Sequence, residues 1–374
     1  MIYLDYSATT PVNKKVLESF NNVCLNYIGN PNSLHKLGVE SKELIDASTK
    51  QIKELLNLKD KEIIYTSGSS EANNLAIKGI AYKYQNRGKH IITTELEHSS
   101  VISPFSFLAN EGFDIDFVSL KEDGTVDIEA LESLIRDDTI LVSICSVNSE
   151  VGIINDIDNI GKMLKKYPKC FFHVDMTQSI GKINIPVDNV DLFSFSAHKF
   201  FGIKGIGALI KKENIVLEPI IHGGKSTTIY RSGTPAVALI VSLAKALRLA
   251  LESLDTKYEY VLKLNQKLRE KLANNPNVSI NSTEKSLAYI LNISVLNIKP
   301  ETFQHALEQH DIYISTQTAC SSKGNPSKAV FAITKDKQKA LTSLRISLSY
   351  LTKEEEIDDF LIAFNECYRS LSLK

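Results

Sequence analysis

Residues 190–202 read Val-Asp-Leu-Phe-Ser-Phe-Ser-Ala-His-Lys-Phe-Phe-Gly, and this stretch decides how the fold is interpreted. Its first part, Val190–Ser196, is one of a set of predicted strands, several of which are apolar with little alternation, as is typical of strands buried on both faces of a parallel sheet. Lys199 follows this strand and precedes two phenylalanines, so it does not belong to a solvated run of charges. Loss of water lowers the pKa of a lysine and makes its amine a competent nucleophile or proton carrier. We therefore expect Lys199 to be a functional residue.

Similar apolar runs alternate with helical patterns on both sides of this strand, from about residue 60 to residue 210. The alternation predicts an α/β fold with a mostly parallel sheet covered by helices. The other predicted strands are Glu62–Thr66, His90–Thr94, Asp114–Leu120, Thr139–Val147, Cys170–Asp175 and Gly207–Lys211. The predicted helices are Glu71–Gln85, His98–Asn110, Ile128–Arg136 and Ile157–Lys166.

The pattern changes after Pro235. Two long helical stretches lead into shorter elements, and this order predicts a smaller α+β domain that packs against the first and leaves a cleft between them. The helical stretches are Ala236–Leu254 and Tyr258–Asn274, followed by Ala288–Val295, Glu301–His310, Ile312–Ser315, Leu344–Ser349 and Glu354–Ser370.

Two other candidate sites follow predicted strands. Ser67-Gly-Ser-Ser-Glu71 leads into a helix, whose first N–H groups suit a phosphate, with Ser69 and Ser70 as further donors; simple helix capping is the alternative. Asp175 ends a buried strand, where open parallel sheets bind ligands. A buried carboxylate needs a cation or a strong donor, such as a pyridinium nitrogen, although a helix-capping aspartate is an equally plausible interpretation.

Composition excludes several classes of protein. The 374 residues carry 43 Lys and Arg against 44 Asp and Glu, for a net charge of -1, which gives no electrostatic reason to expect direct binding to nucleic acid or to a membrane surface. No secretory signal and no apolar run of about 20 residues is visible, so a cytoplasmic protein is expected.

The five cysteines lack a C-x-x-C spacing, which argues against disulfides and structural zinc. Four of them lie in strand or helix patterns and are interpreted as small buried hydrophobes: Cys24, Cys145, Cys170 and Cys367. Cys320 differs, because its segment is rich in Gly, Ser, Asn and Pro and is expected to expose the thiol.

Other motifs are excluded by spacing. Gly224-Lys-Ser226 resembles the end of a P-loop, but the first glycine of that motif would fall at Pro219. Gly202, Gly205 and Gly207 precede a strand, whereas a dinucleotide-binding site needs glycines before a helix. His222 has no second ligand at metal spacing, so no metal site is expected.

A phosphate-binding turn, a strand-end Asp and a strand-end Lys occur in the order expected of a pyridoxal 5'-phosphate enzyme. The chain resembles the cysteine desulfurases of the class V aminotransferase group, from Tyr3-Leu-Asp-Tyr-Ser-Ala-Thr-Thr-Pro11 to Leu344-Arg-Ile-Ser-Leu348. The resemblance implies a fold-type I pyridoxal-phosphate enzyme with a large cofactor-binding domain, 14–255. It also implies a small domain, 1–13 with 256–374, that carries the Cys320 loop.

The same resemblance implies the site residues. Lys199 would hold the cofactor covalently, Asp175 would pair with the pyridinium nitrogen, and His98 would stack on the ring and move protons. Gln178 would contact the phenolic oxygen of the ring. The phosphate would be bound by Ser69, Ser70, Ser196, His198 and, across a homodimer, Thr234. Arg345 would bind the substrate carboxylate, with Asn32 and Asn148 in the same pocket and Asn148 also near the cofactor.

Cys320, in Ser315-Thr-Gln-Thr-Ala-Cys-Ser-Ser-Lys-Gly-Asn-Pro-Ser327, matches the desulfurase nucleophile. It would take sulfur from L-cysteine as a persulfide, release L-alanine, and pass the sulfur to an acceptor protein, either an iron–sulfur scaffold or a tRNA-thiolation enzyme. The His222–Tyr230 segment, Ser149 and the short Cys320 loop depart from the family pattern and suggest a specialised paralogue. A selenocysteine lyase, an aminotransferase and a non-catalytic scaffold that binds a sulfur acceptor remain as alternatives.

Overall fold

The computed structural model describes residues 1–316 and 325–372. The strands in these ranges are β1 Ile2–Tyr3, β2 Lys61–Thr66, β3 His90–Thr93, β4 Asp114–Phe117, β5 Thr139–Cys145, β6 Phe171–Asp175, β7 Leu192–Ser196, β8 Gly207–Lys212, β9 Val278–Ile280, β10 Ile290–Val295, β11 Ile312–Tyr313 and β12 Ser343–Ser347. The helices are α1 Lys14–Asn26, α2 Lys36–Leu55, α3 Ser69–Tyr84, α4 Ser99–Asn110, α5 Ile128–Leu134, α6 Ile157–Leu164, α7 Val237–Leu251, α8 Leu254–Leu272, α9 Pro300–Glu308, α10 Lys328–Thr334, α11 Lys337–Leu341 and α12 Glu354–Ser372. None of these helices is long and apolar enough to cross a membrane.

A seven-stranded sheet lies at the centre of the larger part, in the order β2-β8-β7-β6-β5-β3-β4. The strands from β4 to β7 in this order are parallel, whereas β8 runs antiparallel to both of its neighbours. All seven residues of β5 are buried, which explains why its sequence is mostly apolar. The predicted α/β fold with a mostly parallel sheet is therefore confirmed.

Helices cover both faces of this sheet because successive side chains of a strand point to opposite faces. Ile64 and Leu192 pack on the side of α3 and α4. Their chain neighbours Ile63 and Phe193 belong to a second cluster with α1, α2 and α7. The two apolar layers fix the ends of β5, β6 and β7 relative to one another, and these ends carry the candidate site.

A smaller antiparallel sheet, β12-β10-β9, packs with α8, α9 and α12 around its own apolar cluster. The first residues of the chain join this part, since β1 pairs in parallel with β11, with Ile2 opposite Ile312. Leu4 is fully buried in the same cluster. The division into 14–255 and 1–13 with 256–374 stays a prediction.

The two long helices after Pro235 have other bounds than those predicted. α7 ends at Leu251 and α8 already begins at Leu254. Ser253 between them has a φ of 55°, in the left-handed region, which a continuous helix does not tolerate. The break therefore comes earlier than the apolar pattern indicates.

Cys24 is exposed, so the prediction that it is a buried hydrophobe was wrong. Its helix α1 buries Val16 and Val23. One residue further along a helix points about 100° away, which turns Cys24 out of the interface. Cys145, Cys170 and Cys367 are buried, as predicted.

Candidate active site

A cleft of about 220 Å³ lies at the carboxyl ends of the central parallel strands. Asp175 ends β6, Cys145 ends β5, and Lys199 closes the single 3₁₀ turn that follows β7. This edge is where open α/β sheets bind ligands. The lining residues are Ser7, Ala8, Ser69, Ser70, Leu96, His98, Cys145, Val147, Ser149, Asp175, Thr177, Gln178, His198, Lys199 and Arg345.

The turn before α3 supplies the anion-binding end of this cleft. The buried Ser196 hydroxyl accepts a hydrogen bond from the Ser69 N–H at 2.6 Å and lies 3.1 Å from the Ser69 hydroxyl. The turn packs closely on the start of β8, because a Cβ on Gly207 would come within 2.7 Å of the Gly68 Cα. The N-terminus of α3, with the Ser69 and Ser70 side chains beside it, therefore faces the cleft in a fixed position.

Asp175 supplies a negative charge on the opposite side. Its carboxylate is buried, and it accepts hydrogen bonds from the Asn73 amide at 2.8 Å and from the Thr177 N–H at 3.0 Å. Hydrogen bonds from N–H donors to a carboxylate are charge-assisted and fix its orientation. The cleft thus has a carboxylate that can pair with a cationic ring nitrogen.

The Lys199 amine is held by the first residues of the chain. It donates to the carbonyl oxygens of Ser7 at 2.6 Å and Ala8 at 2.9 Å. Gln178 also donates to the Ser7 carbonyl, at 3.0 Å, and its own oxygen accepts from Lys182. Residues 7 and 8 therefore form one wall of the site, although the chain distance to Lys199 gives no hint of it.

Both histidines of the cleft are neutral near pH 7. Burial, and after it the charges of Lys199, Lys204 and Lys182, lowers the pKa of His198 to about 4. Burial also lowers the pKa of His98, against the opposing effect of Asp175. Each ring can therefore accept a proton or donate one without carrying a permanent charge.

Arg345 reaches the cleft from β12 of the smaller sheet and is fully buried. Its guanidinium donates to Asp5 at 2.9 Å and to the Ser149 carbonyl at 2.9 Å. The Nε atom is buried without a hydrogen-bond partner among the described residues. The guanidinium thus retains donor capacity for an anion.

A second cavity, of about 710 Å³, adjoins the cleft and shares Leu96, His98 and Ser149 with it. Pro326 and Phe331 are among its other lining residues. The cleft is therefore bordered on this side by the chain that leads into α10.

Four of the predicted site residues within the described ranges do not line the cleft: Ser196, Asn148, Asn32 and Thr234. Ser196 instead accepts from the Ser69 N–H behind the lining. Asn148 is buried, but its amide donates to the Leu96 carbonyl and accepts from two backbone N–H groups, so it shapes the loop after β5 and faces the larger cavity. Asn32 and Thr234 are exposed. Cys320 lies outside the described residues.

Several lining residues were not predicted. Ser7 and Ala8 come from the first turn of the chain, and Thr177 and Ser149 are ordinary loop residues by type. Their positions depend on long-range packing, which no local pattern reports. Thr177 could have been predicted to lie near the site, because it stands two residues after Asp175.

Comparisons with known proteins agree with this geometry. The sequence profile of the family "Aminotransferase class-V" matches residues 2–360. A protein from Glaesserella parasuis serovar 5, named cysteine desulfurase IscS, is 41% identical over 96% of this chain and 90% of its own. A NifS-like protein of known structure has a TM-score of 0.92 at 35% identity, with 100% of both chains covered. The structure described as SspA in complex with cysteine has a TM-score of 0.83 at 32% identity, over 94% of this chain and 100% of the other.

Proposed function

The chain belongs to the aminotransferase class-V family, and we propose that its cleft is the active site of a pyridoxal-phosphate-dependent cysteine desulfurase. In this reaction L-cysteine becomes L-alanine and its sulfur passes to an enzyme thiol. The observation that carries the proposal is the joint position of Lys199, Asp175 and the α3 N-terminus in one cleft.

The donor set fits the cofactor. The N-terminus of α3, with Ser69, Ser70 and the nearby Ser196, suits a phosphate dianion, and Asp175 suits a protonated ring nitrogen. Lys199 is the amine that would bind its aldehyde carbon, Gln178 would donate to its ring oxygen, and His98 would cover its face. Pyridoxal phosphate, when bound, stabilises negative charge at the carbon next to the substrate amino group.

The chain's own residues would bind and deprotonate the substrate. Arg345 would bind the carboxylate of L-cysteine through its unpaired Nε–H and its fork of donors. The Lys199 amine would take the proton from the α-carbon, and neutral His98 would return a proton to the product. Asn148 would act through the loop it shapes.

Cys320 is the proposed sulfur acceptor within the enzyme. Its thiolate would attack the substrate sulfur, so that an S–S bond forms while the bond between that sulfur and the β-carbon breaks. The electrons of the broken bond remain with the carbon, which takes up protons and leaves as L-alanine. The product on the enzyme is a persulfide, and this sulfur must then reach an acceptor.

We propose that the molecule that accepts the sulfur from Cys320 is a protein. It is either an iron–sulfur assembly scaffold or an enzyme of tRNA thiolation in the cytoplasm. A net charge of -1 supports a protein acceptor over direct contact with RNA. The departures at residues 222–230 and Ser149 support a specialised role in one of these pathways.

Product analysis tests the reaction. The purified protein, supplied with pyridoxal phosphate, is incubated with L-cysteine, with selenocysteine, or with L-alanine and a keto acid. We expect cysteine to give alanine and persulfide in equal amounts. Alanine should form faster from cysteine than from selenocysteine, and no amino group should be transferred to the keto acid. Net amino transfer, or a protein that binds no cofactor, would contradict the proposal.

We also propose a homodimer through the surface formed by residues 25–34 and 220–234. This surface exposes large apolar side chains, among them Leu34, which is 98% exposed, and Ile28, which is 77% exposed. Asn32 approaches Ser226 at 3.4 Å, so the two segments form one surface. A second copy is favoured as occupant because Asn32 and Thr234, which the resemblance assigns to the site, lie here and away from the cleft of their own chain.

Leu34→Glu is expected to convert the dimer to a monomer, since a charge would be buried at the apolar contact. Light scattering should then report the chain mass of 41.6 kDa in place of about twice that value. Leu351→Glu, at an exposed leucine outside this surface, is the matched control and should leave the dimer intact. An unchanged mass for Leu34→Glu would rule out this interface.

A further inference from the structure

Asn73 is a fully buried residue of α3 that lies behind the cleft, outside its lining. Its amide nitrogen donates to Asp175 at 2.8 Å and to the Ser100 hydroxyl at 2.9 Å. Its oxygen accepts a hydrogen bond from Ser194. One amide group therefore connects the carboxylate of the site with Ser100, the hydrogen-bond partner of His98.

The charge of Asp175 fixes the direction of these bonds. A carboxylate only accepts, so the nitrogen of Asn73 must face it and the oxygen must face Ser194. The second N–H of Asn73 points at the Ser100 oxygen, which leaves the Ser100 hydrogen for Nδ1 of His98 at 2.9 Å. The Ser100 backbone N–H donates to the same atom at 3.1 Å. Nδ1 is thus an acceptor, and Nε2 of His98 carries the proton.

The same direction continues to a second histidine. Ser194 gives its hydrogen to Asn73, so Nε2 of His173, 3.4 Å away, must be the donor in that contact. Nδ1 of His173 then accepts from Ser143 at 2.8 Å. Burial lowers the pKa of His173 to about 4, which agrees with a neutral ring. The two chains of hydrogen bonds that start at Asn73 therefore each end at a histidine with its proton on Nε2.

We propose that Asn73 is a positioning residue that, through Ser100, couples the Asp175 carboxylate to the neutral, Nε2-protonated form of His98. The charged groups that act on His98 are Asp175, Lys199 and Arg345. These charges change the pKa of the His98 ring, whereas a directed hydrogen bond determines which of its two nitrogens carries the proton. The role in catalysis rests on the proposed function, but the selection of the nitrogen does not require turnover.

Histidine NMR tests the coupling directly. The protein is labelled with ¹⁵N-histidine and studied without cofactor, and the His98 signals are assigned by their loss in His98→Gln. In Asn73→Leu the Ser100 hydroxyl is free to turn and accept from a protonated Nδ1, while the backbone N–H of Ser100 still keeps Nδ1 an acceptor in the neutral ring. We therefore expect the titration midpoint of His98 to rise by about half a pH unit or more. Asn74→Leu is the matched control, since the Asn74 amide donates to the Ser70 carbonyl of its own helix and, within residues 1–316 and 325–372, to no part of the Asp175–His98 chain of hydrogen bonds.

Kinetics of the cofactor-loaded enzyme give the second readout. Asn73→Leu should lower kcat for cysteine by about 10- to 100-fold, because Asp175 loses a charge-assisted hydrogen bond, while KM changes by less than about threefold. Ser100→Ala keeps the bond between Asn73 and Asp175, so it should raise the His98 midpoint with a smaller loss of kcat.

An unchanged titration midpoint of His98 in Asn73→Leu would overturn the coupling. If that variant does not fold, the His98 midpoint is measured in Ser100→Ala instead, and an unchanged value there would overturn the coupling. Wild-type protein that does not act on cysteine would contradict the proposed function alone, because the NMR result is independent of it.

Discussion

Lys199→Ala is expected to lower the release of alanine from cysteine by at least about 10³-fold. The variant loses the one amine that the carbonyl oxygens of Ser7 and Ala8 hold at the edge of the cleft, at 2.6 and 2.9 Å. Both covalent attachment of the cofactor and removal of the α-proton depend on this amine in the proposed mechanism. The yellow colour of the loaded protein should be lost with the activity.

Lys204→Ala is the matched control for this experiment. Lys204 is an exposed lysine five positions further along the chain. Its removal should leave both turnover and colour close to the wild-type values. Turnover of Lys199→Ala within tenfold of the wild type would contradict the role assigned to Lys199, whatever the colour of the protein.

Cys320→Ser is expected to abolish persulfide formation and to lower alanine release to the background. A hydroxyl does not attack sulfur under these conditions, because it is neither ionised nor soft. Trapping of the persulfide with an alkylating reagent, followed by mass spectrometry of the peptide, measures the effect directly.

Cys145 offers an informative control, because it is a thiol that lines the cleft itself. Burial, followed by the negative charges of Glu97 and Asp175, raises the pKa of the Cys145 thiol well above its usual value, and the thiol donates weakly to the Leu96 carbonyl. A thiol in this state does not supply a thiolate. Cys145→Ser should therefore keep persulfide formation, and a persulfide on Cys145 in the wild type would contradict the assignment to Cys320.

Local patterns were sufficient for the sheet and for the residues at its strand ends. The strands β5 and β7 are rich in apolar residues because both of their faces are buried, so Asp175 and Lys199 could be placed at the end of β6 and just after β7. The helix α2 was not predicted. Two of its buried positions are Ser41 and Ser48, which interrupt the apolar stripe that marks an amphipathic helix.

The contacts behind the cleft could not be predicted from the sequence. Asn73 is one of two adjacent asparagines in a helical segment, and only the packing of α3 on β6 and β7 distinguishes it from Asn74. Asp5 likewise gains its role from a partner 340 residues away, Arg345. Such pairs depend on how the two sheets approach each other, and residue type carries no information about that.

The pairing of β1 with β11 affects the order in which the protein can mature during synthesis. Ile2 is synthesised long before its strand partner Ile312. The Ser7 N–H donates a hydrogen bond to the hydroxyl of Ser347 at 2.9 Å, so this part of the wall also depends on a residue made late. Contacts of such sequence separation form late in folding. The central sheet can therefore fold on the nascent chain, whereas the wall that holds the Lys199 amine is completed only after β11 and β12 have been translated.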